Sequence, residues 1–233
     1  YVDLDQVRGA NLDYLNLISS NKRSQIRRSI KEYEKNGKLE VSEAKDRQQA
    51  LMWFEEMVTL HQKEWKSRGR PGAFSNEYLF QFHKDLISSR FEYGEIQILK
   101  IFNASMVIGI LYNFIYSDRA YFYQSGLNYL PGNIYRPGMV AHYYAILHNA
   151  RAGLIYYDFL AGDAAYKISL STDSQPVYWL RLFRSPLRYY FALGLRRVKA
   201  GLKSVPSIAT WLRKLKALLR RNDFHPENGV GFE

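Results

Sequence analysis

The chain has 233 residues, 47% of them hydrophobic and 24% charged, so it can build a packed core and is not globally disordered. It contains no cysteine, which excludes disulfides and thiolate metal sites and fits a cytoplasmic protein. The net charge of +11 is uneven: residues 1–180 carry 21 basic and 19 acidic residues, while 181–221 carry 12 basic and no acidic ones, so a nucleic-acid footprint over the whole domain is not what the charge describes.

The opening residue is Tyr1, not Met, so the sequence is expected to be an excerpt of a longer chain. No apolar run approaches the roughly 20 residues that span a bilayer. Residues 11–36 read as a helix, with Leu12, Leu15, Leu17 and Ile18, then Ile26, Ile30 and Tyr33, and a stop at Asn36-Gly37. Its basic face is Lys22, Arg23, Arg27, Arg28 and Lys31. A short strand is expected at 38–43. Asp46 then caps a helix to about Lys66, with Leu51, Phe54, Val58 and Trp65 on its apolar side. After the Gly- and Pro-bearing loop 67–72, Ser75 caps a second helix to about Ser89 that buries Leu79, Phe82 and Leu86.

The period then changes. Segments 95–102, 106–116 and 120–125 are rich in Ile, Val, Tyr and Phe and are separated by tight breaks, the pattern of an antiparallel meander. A loop from Gly126 to Gly138 leads into a helix over about 139–152, and 154–159 returns as a strand. A strand, a crossover helix and another strand in one sheet make a parallel pair, so the sheet is mixed α/β. Two short strands, near 166–170 and 177–183, are expected to complete it.

Two parallel strands joined by such a crossover tend to splay, which exposes backbone N–H groups at the N-terminus of the intervening helix. Arg136-Pro137-Gly138 stands there: Pro presets the first turn, Gly admits close approach and Arg supplies a cation. The alternative is an ordinary Pro/Gly helix start. In Tyr156-Tyr157-Asp158-Phe159-Leu160-Ala161-Gly162-Asp163, two acids lie at the carboxyl end of a strand, where one could take or orient an amine proton. Both could equally be turn residues. Lys167 could neutralise an oxyanion or simply pair with Asp163. The five histidines show no paired metal-ligand spacing, and His61 and His83 read as satisfied helix residues.

Three strings carry a resemblance: Tyr123-Gln124-Ser125-Gly126, Pro137-Gly138 before a helix, and Tyr157-Asp158-Phe159-Leu160-x-Gly162-Asp163-x-x-Tyr166-Lys167. With Leu60-His61-x-x-x-Trp65-x-x-Arg68-Gly69-x-x-Gly72-x-Phe74 upstream, they resemble the GNAT-fold acetyltransferase domain of FemAB-like proteins, a group associated with cellulose and exopolysaccharide biosynthesis. The resemblance spans about residues 20–185. It implies a GNAT fold over 1–184, as one half of a tandem protein, and an acyl-CoA co-substrate in the splay. It further implies an amine or hydroxyl acceptor on an envelope saccharide or precursor, and no metal.

By that likeness Asp158, Asp163, Tyr166 and Lys167 serve the reacting end. Arg136, Pro137, Gly138 and Met139 hold the pyrophosphate, and Trp65, Arg68, Gln124 and Ser125 line the acceptor cleft. The family's pyrophosphate signature, Arg/Gln-x-x-Gly-x-Gly/Ala, is represented only by Arg136-x-Gly138. Two alternatives therefore accompany this reading. One is an aminoacyl-tRNA-dependent transferase, whose basic helix would meet RNA; the other is a non-catalytic membrane-peripheral scaffold. The tail, 185–233, holds a basic amphipathic helix over 205–221 with Trp211, of the kind that lies on an anionic membrane or docks on protein. It would bring a cytoplasmic enzyme to the inner membrane.

Overall fold

A computed structural model describes residues 1–180, 182, 187, 189–191, 193 and 194. Residues 1–175 form one compact unit, and a second begins at Pro176. The tail helix expected at 205–221 lies outside the described residues.

The first unit is built on a six-stranded sheet of order β1-β6-β5-β4-β3-β2. Strands β2 (Glu40–Glu43), β3 (Ile96–Phe102), β4 (Val107–Tyr116) and β5 (Arg119–Leu127) pair antiparallel in succession. Strand β6 (Tyr156–Asp158) then pairs parallel to β5, through the crossover helix α5 (Pro137–Arg151), as expected. The two-residue strand β1 (Val2–Asp3) closes the edge antiparallel to β6. It is followed directly by the short helix α1 (Leu4–Gly9), capped by Asp3.

Alternation along the strands sends two apolar sets to opposite faces. Leu99, Ile101, Leu111, Phe122 and Tyr157 join α5 through Val140, Ala141, Ala145 and Ile146. Ile96, Ile98, Ile110 and Tyr112 join α3 (Arg47–Ser67) and α4 (Glu77–Arg90) through Phe54, Met57 and Ile87. A buried amide chain pins α5 to the sheet. Asn113 Nδ2 donates to Gln97 Oε1 at 2.8 Å, and Gln97 Nε2 donates to Asn149 Oδ1 at 2.9 Å.

Several expectations need correction. The helix expected over 11–36 is α2, Ser20–Tyr33, capped by Ser19 and not begun at residue 11. Asn11 and Leu12 adopt left-handed φ of 53° and 64°, which interrupts any helix upstream. The buried stripe of α3 is Ala50, Trp53, Phe54, Met57 and His61, rotated from the expected one. In α4 the cap is Asn76, whose side chain accepts from the Tyr78 and Leu79 amides; His83 and Ile87 are buried, while Phe82 is 47% exposed. The segment expected as a strand at 166–170 is helix α6, Ala165–Leu170. Tyr166, Ile168 and Leu170 alternate as in a strand, but burial selects Lys167 and Leu170, three apart. Residues 177–180 and 182 carry no strand.

Candidate functional site

The β5–β6 ladder has three rungs, Arg119↔Tyr156, Ala120↔Tyr157 and Tyr121↔Asp158. Strand β5 runs on to Leu127, but β6 ends at Asp158, so the two strands part there. Asp158 fixes the point of parting. Its Oδ2 accepts from Arg119 Nη1 at 2.7 Å, and its Oδ1 accepts the Leu160 amide at 2.8 Å. Leu160, at φ 61°, turns the chain out of the sheet. Arg119 is in turn cradled by rings, with its guanidinium 4.3 Å from the Tyr156 centroid. Both carboxylate oxygens of Asp158 are thus engaged.

The start of α5 faces the far end of β5. A Cβ on Gly138 would lie 3.2 Å from Leu127 Cδ1, so a small residue keeps the helix close to that strand. Pro137 occupies the first turn and is buried, Met139 is half-buried, and Arg136 precedes the helix with its side chain exposed. The Arg136 N–H donates to Ser29 Oγ at 3.0 Å, which ties this corner to α2. The first-turn amides have no intrahelical acceptor, and they suit an anion.

Beyond Asp158, the other residues expected at the reacting end divide. Asp163 is exposed in the turn before α6. Lys167 is buried and donates to the Ala161 carbonyl at 2.8 Å; desolvation pulls its pKa down, against the opposing pull of Asp158. Tyr166 stacks on His142, centroids 5.8 Å apart, and burial pushes its phenol up to about 12, so it keeps its proton. His142 is fully enclosed, bonded through Nδ1 to the Tyr157 hydroxyl at 2.9 Å, and held down to about 3 by burial and by Lys167.

Gln124 and Ser125 follow a bulge in β5: Tyr112 pairs with Gln124 and Asn113 with Phe122, which leaves Tyr123 as the extra residue and puts Gln124 on the α3 face with Tyr112 and Ser125 on the α5 face with Leu111. Gln124 Oε1 accepts the Ser125 N–H at 3.0 Å. The Ser125 carbonyl meets His61 Nδ1 at 3.1 Å. Trp65 stands one turn further along α3, 5.8 Å from the His61 ring, and Arg68 pairs with Glu64 while lying 5.7 Å from the Tyr129 centroid.

The sequence reads His61 as a satisfied helix residue and does not mark Tyr129; only one of the two His61 ring nitrogens has a partner. Burial lowers the pKa of His61, so its ring is neutral; because a carbonyl can only accept, the proton sits on Nδ1. Nε2 is then a buried acceptor without a hydrogen-bond partner. A second histidine, His83, bonds the Tyr123 hydroxyl at 2.9 Å and is held down to about 4 by desolvation. Both rings lie on the buried stripes of α3 and α4, which are rotated from those that the apolar residues suggest.

Among the described residues no cluster of three or more His, Cys, Asp or Glu side chains could hold a metal ion, and no helix is long and apolar enough to cross a membrane.

No curated protein matches the chain. A family model described as an acetyltransferase (GNAT) domain matches residues 20–168, a span that runs from the start of α2 through the crossover and splay to Ile168 in α6. With more than half of the sequence covered and a mixed sheet that opens beside a crossover helix, this chain belongs to the GNAT acetyltransferase family, whose members transfer acyl groups from acyl-CoA.

Proposed function

We propose that the protein moves an acyl group from acyl-CoA to an amine, or secondarily a hydroxyl, of a bacterial envelope saccharide or its precursor. The observation that carries this reading is the parting of β5 and β6 at Asp158, with the start of α5 at one end and the aromatic wall of α3 on the other face. The diphosphate of the donor rests on the Gly138 and Met139 amides beside Arg136. Tyr166, protonated throughout the physiological range, donates a hydrogen bond to the departing thiolate. Asp158 orients the site through its bond to Arg119, while Asp163 and Lys167 border it.

Trp65, Tyr129 and Arg68, with Gln124 and Ser125, offer stacking faces and polar groups of the kind that bind sugar rings. Attack is direct, since no cysteine exists to form an acyl-enzyme. Calorimetry with acetyl-CoA, followed by thiol release in the presence of amino sugars, tests the reading. Micromolar binding lost in Arg136→Glu and thiol release that depends on the amino sugar support it. A folded parent that binds no acetyl-CoA overturns it.

The basic flank of α2 favours a second reading. Lys22, Arg23, Arg27, Arg28 and Lys31 form no ion pair among the described residues, and such a surface suits aminoacyl-tRNA as the donor. Binding of tRNA with a steep salt dependence would favour it over acyl-CoA. Attachment of residues 205–221 to the inner membrane belongs to the same proposal, and co-sedimentation with anionic liposomes should disappear when they are deleted.

A further inference from the structure

The loop leading into α5 and the flank of α2 border a cleft of about 260 Å³, lined by Gln25, Arg28, Asn133, Ile134 and Arg136. Its walls are fixed relative to each other. Ser29, fully buried one residue past Arg28, accepts the Arg136 N–H, so the two arginines belong to elements that are stitched together. Neither Arg28 nor Arg136 has a carboxylate within ion-pair distance among the described residues. Two unneutralised guanidinium groups lining one small volume repel each other unless an anion lies between them. Gln25 and Asn133 add neutral hydrogen-bonding groups to the same lining.

We propose that this cleft holds the 3′-phosphate on the ribose of the acyl-CoA donor, with Arg28 and Arg136 as its partners. The assignment rests on the donor reading above and extends it to α2. The cleft is lined by Arg136 but not by Gly138 or Met139, so a phosphate in it is not the one that the α5 amides hold. Arg136 and Gly138 are two residues apart, within roughly 7 Å along the chain. In a coenzyme A molecule the ribose bridges its diphosphate and its 3′-phosphate across a gap of that kind. A terminal monoester presents three oxygens, enough for two guanidinium groups at once, whereas a mid-strand diester offers two.

Calorimetry on the full chain with coenzyme A and with 3′-dephospho-coenzyme A tests this, using the parent, Arg28→Ala and Arg28→Lys. Arg28 is exposed on α2, so the melting temperature should not change, which separates a binding effect from misfolding. The parent is expected to prefer coenzyme A by about tenfold or more. In Arg28→Ala that preference should vanish while affinity for the dephospho form stays as it was, and Arg28→Lys should keep part of it. A parent that binds both forms alike, or an alanine variant that weakens both alike, overturns the cleft assignment and leaves the acyl-CoA reading standing. A parent that binds neither form overturns both. Loss of tRNA binding in Arg28→Ala, with the two coenzyme forms still bound alike, overturns the assignment in favour of a nucleic-acid surface.

Discussion

Arg119 and Asp158 meet at 2.7 Å across adjacent strands, with Asp158 on the last rung before those strands separate. Both side chains are about one-fifth exposed, so the pair is screened less than a surface ion pair and its partners are costly to leave alone. A double-mutant cycle with Arg119→Met and Asp158→Asn, followed by urea denaturation, should give a coupling of about 1–2 kcal/mol. A coupling near zero would mean that the Leu160 amide alone holds the carboxylate. Thiol release should fall in both single variants, because the mouth of the splay loses its fixed edge.

Tyr166→Phe keeps the stack on His142 and removes only the hydroxyl. With acetyl-CoA affinity unchanged, kcat is expected to fall by about 10–100-fold if that hydroxyl meets the leaving group. An unchanged kcat would restrict Tyr166 to packing.

His61→Asn retains a donor for the Ser125 carbonyl and deletes the unpartnered Nε2 lone pair; His61→Leu removes both. If the lone pair takes part in proton transfer, both variants should lose about 100-fold in kcat. Full activity in the asparagine variant, with loss in the leucine one, would show that the imidazole acts by positioning β5.

Native stability should decline in acid. His142 and His83 stay neutral in the folded chain down to about 3 and about 4, while in the unfolded chain they take up protons near 6.5. Between those values the unfolded state binds more protons, so stability is fully present above about pH 6.5 and is lost as pH falls. Each ring contributes a slope approaching ~1.4 kcal/mol per pH unit. Denaturation midpoints at pH 7, 6 and 5 should show it, and His142→Gln should flatten the slope.

How much of this could be read beforehand depended on the range of the forces involved. The meander, the crossover helix and the parallel pair were legible because each is announced by local periodicity and by Gly and Pro punctuation. Strand β1 was not, since two residues carry no period and its pairing with β6 spans more than 150 positions. Helix α6 was misread because six residues alternate as readily as they coil. For the site, the Arg136–Met139 corner and the Asp158–Lys167 string were marked by residue type. The ion pair of Asp158, the burial of Lys167 and the meeting of Arg28 with Arg136 in one cleft depend on contacts between distant segments, which no spacing encodes.

The bulge at Tyr123 has the effect of a frame shift. With it, Gly126 lies opposite Ile110 on the α3 side, where any Cβ would sit 2.1 Å from the Met57 carbonyl; Gly109, one rung away, serves α5 on the other face. Flatten the bulge with the residue kept, so that Tyr123 pairs with Tyr112, and the register slips by one: Gly126 would face Gly109, and Ser125 would fall under Met57. The strand would then lose its two separate clearances and the helices their seats. The bulge thus absorbs a single surplus residue and keeps both layers in phase with the sheet.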